Sequence, residues 1–277
     1  MWAHRPWVGR HLPTATRQGR EVVAYGRLVN AVEGNTTFYA LPSVETVVRW
    51  AAQVDESFRF VFKVPRVVTH DRRLRDVDQL VASFVELISP LGGRIGGVTL
   101  QLPASFGPSE LDAIDSVLAR APHGLRWSVE VRHPDFFDDP ASADLERVLA
   151  RRGAERVLLD SRALFVQPPR TQAGREAWEN KPRVPALTEP VGDEPIVRFI
   201  GSDDRDVTEA ALAEWAPIVA DWLAEGRRPT FFVHTPDNLD SPELARRFHA
   251  AVREIHPATP ALPEPPPIES AEQQSLF

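Results

Sequence analysis

The sequence predicts an α/β fold, a (β/α)8 TIM-type barrel with its first strand truncated and a long irregular loop in place of the sixth helix. Seven short runs rich in β-branched and aromatic residues alternate with amphipathic stretches from end to end, which implies parallel strands joined by right-handed crossovers. The 277 residues are enough for a single barrel-sized unit. No Gly-rich phosphate turn follows the first run, which argues against the alternative, an open doubly wound sheet.

In chain order the strands are expected at residues 28–32, 58–64, 97–102, 127–131, 156–160, 196–200 and 230–234. Helix start signals lie between them: Ser43, Ser109, Ser142, Thr208 and Ser241 each precede an amphipathic stretch, and Pro242 suits a first helical turn. Two further helices fit residues 15–27 and 74–88. Ahead of residue 15 only the fragment WAHRPW stands where a barrel's first strand belongs, hence the truncation. Residues 160–196 are Pro-rich, with no clear helix, and their place after a strand end predicts a mobile lid over the barrel mouth. From Pro257 the sequence becomes PATPALPEPPPIESAEQQSLF, with no basic residue. This predicts two parts, a barrel over residues 1–256 and an extended, disordered, solvated tail over 257–277.

Composition narrows the function classes. Hydrophobic residues make up 43% and charged residues 26%, ordinary for a globular protein. The formal net charge of -7 argues against bulk, non-specific DNA binding. There is no cysteine, so thiol chemistry is excluded and any metal would need His, Asp or Glu. No run is long and apolar enough to span a bilayer, and the opening MWAHRPWVGRHLP lacks the apolar stretch of a signal peptide, so no membrane partner and a cytoplasmic location are expected. Only Lys63 and Lys181 are lysine in a chain otherwise rich in arginine. A retained lysine hints at a wanted titratable amine, with chance survival as the bland alternative.

Several segments together carry a resemblance. VNAVEGNTTFYALPSVETVVRW, FRFVFKVPRVVTH, GVTLQLPASF, WSVEVRHPDF, VRFIG and FFVHTPDN follow one another in the order of the YecE-like family of (β/α) barrels, catalogued as a domain of unknown function. The resemblance covers residues 2–255 and implies the barrel. It implies no reaction. The family's Gly-Thr-Ser/Gly-Trp first strand is missing apart from its last residue, Trp2.

In barrel enzymes the chemistry sits at the C-terminal ends of the strands. There the sequence places Glu33, Lys63, His70, Glu130 and Asp160 as candidate catalytic groups, and Asn35, Gln101, Arg132, His133, Arg198, His234 and Asn238 as candidate substrate contacts. Glu33, Lys63, Glu130, Arg132, Asp160 and Arg198 are expected to converge on one pocket. The bland alternative is a structural ion-pair network, Glu130–Arg132 above all. Three fixed cations among three carboxylates make a nearly neutral pocket, which disfavours a divalent metal, and no cofactor is expected. The preferred reading is a small anion held by Arg132 and Arg198, with Glu130 or Glu33 as general base and Lys63 or His70 as acid. A Schiff base on Lys63 and a metal-dependent or non-catalytic DNA-maintenance role are the alternatives.

The tail suggests a protein partner. Gln273-Gln274-Ser275-Leu276-Phe277 resembles the pentapeptide that binds the bacterial DNA polymerase sliding clamp. Gln273, Ser275, Leu276 and Phe277 are the expected contacts, since two apolar residues at the tip of a polar tail have no core of their own to fill.

Overall fold

In the computed structural model, which describes residues 2–268, the seven apolar runs form one parallel sheet in sequence order. Its strands are β1 (Ala31–Gly34), β2 (Arg59–Lys63), β3 (Ile95–Gln101), β4 (Trp127–Glu130), β5 (Ala154–Asp160), β6 (Ile196–Ile200) and β7 (Thr230–His234). The sheet curls almost into a barrel with helices outside, the expected (β/α) architecture. Among the described residues no strand precedes β1; a 3-10 turn, Arg5–Trp7, stands there instead. The sheet is therefore open between β1 and β7, and a cavity of 660 Å³ lies there, lined by Ala31 and Glu33 on one side and Thr230, Phe232 and His234 on the other.

The helices are α1 (Glu21–Tyr25), α2 (Thr36–Tyr39), α3 (Val44–Ala51), α4 (Asp78–Ile88), α5 (Leu111–Arg120), α6 (Ala141–Arg152), α7 (Gln172–Asn180), α8 (Arg205–Ala224) and α9 (Ser241–Ile255). Ser43 caps α3 as expected, accepting a hydrogen bond from Thr46 N. Thr208 does not cap α8. Asp204 does, accepting from the amides of Asp206 and Val207, while Thr208 binds Ser202 and ties the preceding loop to the helix.

Three boundaries depart from expectation for visible reasons. The first strand starts at Ala31 rather than residue 28, because Leu28 and Val29 are buried in a separate cluster with Trp7 and Leu12. The helix expected over 15–27 shrinks to α1, since Gly19 adopts φ +81 just before it. The segment 160–196 does contain a helix, α7, capped by Thr171 accepting from Gly174 N. Its apolar residues are few and it holds a glycine, so the sequence carries little helical periodicity there.

Gly34 shows how closely the barrel wall is packed. A Cβ there would lie 2.4 Å from the Phe62 ring, so only glycine fits. The start of the expected free tail is attached. Arg246 of α9 donates to Pro263 O and to Leu28 O, and Arg253 donates to Thr259 O.

Candidate active site

The barrel interior is layered. Val61, Val157, Ile196 and Phe232 form an apolar floor. Above them the buried hydroxyls of Thr99 and Ser128 pair at 2.8 Å. Two residues further along their strands, at the mouth end, stand Gln101 and Glu130, which are register partners. This is the period of two that places alternate strand residues on one face.

Glu33, Lys63, Glu130, Arg132, Arg198 and His234 meet at this level. Arg198 lies between the two carboxylates: Nε is 2.6 Å from Glu33 Oε1, Nη2 donates to Glu33 Oε2 at 3.3 Å, and Nη1 donates to Glu130 Oε2 at 2.7 Å. Arg132 holds the other oxygen, Glu130 Oε1, through Nε at 2.7 Å and Nη2 at 2.6 Å. Lys63 Nζ lies 3.4 Å and His234 Nε2 3.5 Å from Glu33 Oε2. Glu130 is fully buried, and Glu33, Lys63 and Arg198 nearly so.

Burial opposes ionisation of both carboxyls, but neighbouring cations outweigh it. Arg198, Arg132 and Lys63 hold Glu130 at about 2, and Arg198, Lys63 and His234 hold Glu33 well below its ordinary value. Lys63 is lowered too, but for an amine that means toward the neutral form. Burial, then the Arg198 charge, pushes it down to about 8 against the pull of Glu33 and Glu130. Arg198 stays protonated, since the two glutamates more than offset its burial. Gln101 is 7% exposed, and among the described residues its Oε1 has no hydrogen-bond partner.

The remaining sequence candidates lie elsewhere. Asp160 does not join the pocket. It faces the helix layer, accepting from Trp215 Nε1 of α8 at 2.8 Å and from Arg162 N, Nε and Nη2. The next residue, Ser161, is buried and donates to Pro182 O at 2.8 Å. His70 sits at the rim, with Nδ1 2.9 Å from Thr69 Oγ1 and its ring edge-on to Phe38. His133 turns toward its own loop, where Nδ1 accepts from Asp135 N. Asn238 shapes the turn after β7, with φ +58, its Oδ1 accepting from Ser241 and its O from Trp7. Asn35 lines a separate cavity beside Trp2 and Trp50.

Sequence reasoning did not place Lys181 in the site. The Ser161–Pro182 hydrogen bond brings it over the mouth, and its ammonium is within the electrostatic reach of Arg198, Arg132, Glu130 and Glu33. Both lysines of the chain thus face one site, and lysine scarcity was the one signal that could have paired them. Among the described residues, no group of three His, Asp or Glu side chains is arranged to hold a metal ion. Nor is any helix there long and apolar enough to cross a membrane.

The family profile described as Protein of unknown function DUF72 matches residues 1–268. The chain belongs to the DUF72 family. It is 40% identical to UPF0759 protein YecE of Escherichia coli strain K12 over 278 residues, covering 100% of this chain and 97% of that one. The corresponding protein of Escherichia coli O157:H7 is 39% identical over the same share of each chain. Solved DUF72 structures have the same fold. One from Enterococcus faecalis V583 aligns over 97% of this chain and 98% of its own, with a TM-score of 0.68 and 16% identity. One from Thermotoga maritima MSB8 aligns over 91% and 96%, with a TM-score of 0.67 and 19% identity. For DUF72 members at such low identity the likeness is one of fold alone.

Proposed function

We propose that the barrel mouth is the active site of an enzyme that transfers protons on a small anionic substrate bearing phosphate or carboxylate. Lys63 is the group that gives and takes the proton. The observation that carries this reading is the burial of Lys63 beside Glu33 and under the field of Arg198, which holds it at about 8. A group poised there changes protonation near physiological pH, as general acid–base work requires. Glu33 and Glu130 are held ionised by their cations, which makes them weak bases. They orient Arg198 and Lys63 instead. Four cations, Lys63, Arg132, Arg198 and Lys181, face two carboxylates, which supports an anionic substrate.

The same depressed amine favours a second reading, a Schiff base between Lys63 and a carbonyl substrate. One experiment tests both. The protein and its Lys63→Met variant are incubated with small-molecule extract of bacterial cells, with and without borohydride, and compared by mass spectrometry. A compound consumed by the native protein only, with no protein adduct, supports proton transfer. A borohydride-trapped adduct on Lys63 supports the Schiff base. No compound consumed and no adduct overturns both and favours a non-catalytic role.

The proposal extends to recruitment. The clamp-like peptide Gln273, Ser275, Leu276 and Phe277 lies outside the described residues. Its resemblance to the clamp-binding pentapeptide, at the end of a Pro-rich stretch free of regular structure from Pro260 to Ile268, supports delivery of the enzyme to the sliding clamp.

A further inference from the structure

The arginines expected to grip the anion are already engaged. Each nitrogen of Arg198 faces a carboxylate oxygen, and Arg132 gives Nε and Nη2 to Glu130. Lys63 is partnered by Glu33. An incoming anion would therefore meet cations whose fields are largely offset by the two carboxylates that hold them.

Lys181 differs. It is open to solvent, and among the described residues no carboxylate comes within 4 Å of its ammonium. Its position is nonetheless fixed. Lys181 N donates to Ala177 O at 2.8 Å, closing α7, and the next residue is held to the barrel by Ser161 Oγ. Behind it the segment is anchored by Asp203, whose Oδ2 accepts from Arg170 N, Thr171 N and Thr171 Oγ1. The far end is held by Glu155, which accepts from Gly192 N and Glu194 N. A cation without a counter-charge is thus mounted on a tethered segment above a buried ring of charge. The protein crowding around it, then Arg198 and Arg132, disfavours its protonated form. An anion would reverse that.

We propose that Lys181 is a substrate-binding residue, the side chain that takes the phosphate or carboxylate group of the ligand, with Ser161 as the positioning residue that holds it over the mouth. This rests on the anionic-substrate reading of the site. The arginines then act on the glutamates rather than on the ligand, and Lys63 lies below the bound acid group as the proton-transferring amine.

The test uses the full chain and inorganic phosphate, with binding read by calorimetry at pH 7. Lys181→Ala is expected to lower phosphate affinity about tenfold or more, the loss of one charge-assisted hydrogen bond. Lys181→Arg is expected to recover most of it, and Ser161→Ala to weaken it by a smaller factor with Lys181 intact. Equal affinity for the native protein and Lys181→Ala would leave the anion site standing and remove Lys181 from it. No saturable phosphate binding by the native protein would overturn the anion reading itself, and Lys181's role with it. Thermal melts of each variant separate lost binding from lost fold.

Discussion

Arg198 stands between Glu33 and Glu130 with all three nitrogens facing their oxygens, so removing it leaves two buried carboxylates to face each other. Arg198→Met is expected to destabilise the protein by about 3–5 kcal/mol, the cost of removing the shared partner from a buried ion-pair network and leaving Arg132 and Lys63 alone to hold the two carboxylates. Urea denaturation at pH 7 measures this, and a change under 1 kcal/mol would contradict it. The charge on Glu33 acts on Lys63 in a readable way. Because Glu33 supports the protonated amine, Glu33→Gln is expected to move the Lys63 midpoint below about 8. The pH dependence of Lys63 acetylation reports that midpoint, and an unchanged or raised value would count against the pairing. The glutamates also fix a pH dependence of stability. Their folded pKa values lie below the unfolded ones, so their contribution is complete above about 4.5 and is lost as pH falls toward about 2 for Glu130. Unfolding midpoints between pH 5 and pH 2 should fall less steeply for Glu130→Gln than for the native protein.

At the scale of single elements, legibility followed the phase of each strand. In β2, β3 and β4 the polar residue at the mouth end lies an even step from its inward neighbours, as Lys63 does from Val61 and Glu130 from Ser128, so alternation points it into the barrel. In β5 every residue is buried, and the run Val157-Leu158-Leu159 has no polar phase to read. Asp160 therefore passed for a pocket residue, while the inward position belongs to Ser161. Lys181 was illegible for a different reason. Its place depends on one hydrogen bond between residues 21 apart, Ser161 and Pro182, which no local pattern encodes. The shift of β1 has the same origin, since Leu28 and Val29 satisfy strand propensity but are drawn into a distant cluster. Gly34 gives this scale its own prediction. Gly34→Ala puts a methyl 2.4 Å from the Phe62 ring, and strain of about 1–3 kcal/mol is expected. A thermal melt within one degree of the native protein would show that the ring moves aside freely.

At the scale of the whole molecule, the attachment of the tail's first part to the barrel limits what the proposed recruitment could do. The first part of the tail is fastened to α9, through Thr259 and Pro263. Only the chain beyond residue 263 is left to span the distance to a partner. Nine residues, 264–272, separate that anchor from Gln273, and at about 3.5 Å each they reach roughly 30 Å at full extension. A clamp bound at Leu276 and Phe277 would thus be held close to the barrel's α9 side rather than tethered at a distance. Under the proposed recruitment, so short a span would raise the local concentration of the barrel at whatever the clamp encircles. The expected outcome is micromolar binding of the full chain to the bacterial clamp, lost when Leu276 and Phe277 are both changed to alanine, because two buried apolar anchors carry most of such a contact. Fluorescence polarisation of the labelled full chain against purified clamp measures it. A second arm reads the geometry: replacing Arg246 and Arg253 by alanine releases the anchored stretch and lengthens the tether without touching the peptide. Affinity should then change less than twofold, since the peptide carries the contact. Binding that survives the double alanine change, or that collapses with the anchor arginines alone, would show that the clamp is held by the barrel surface and not by the terminal peptide.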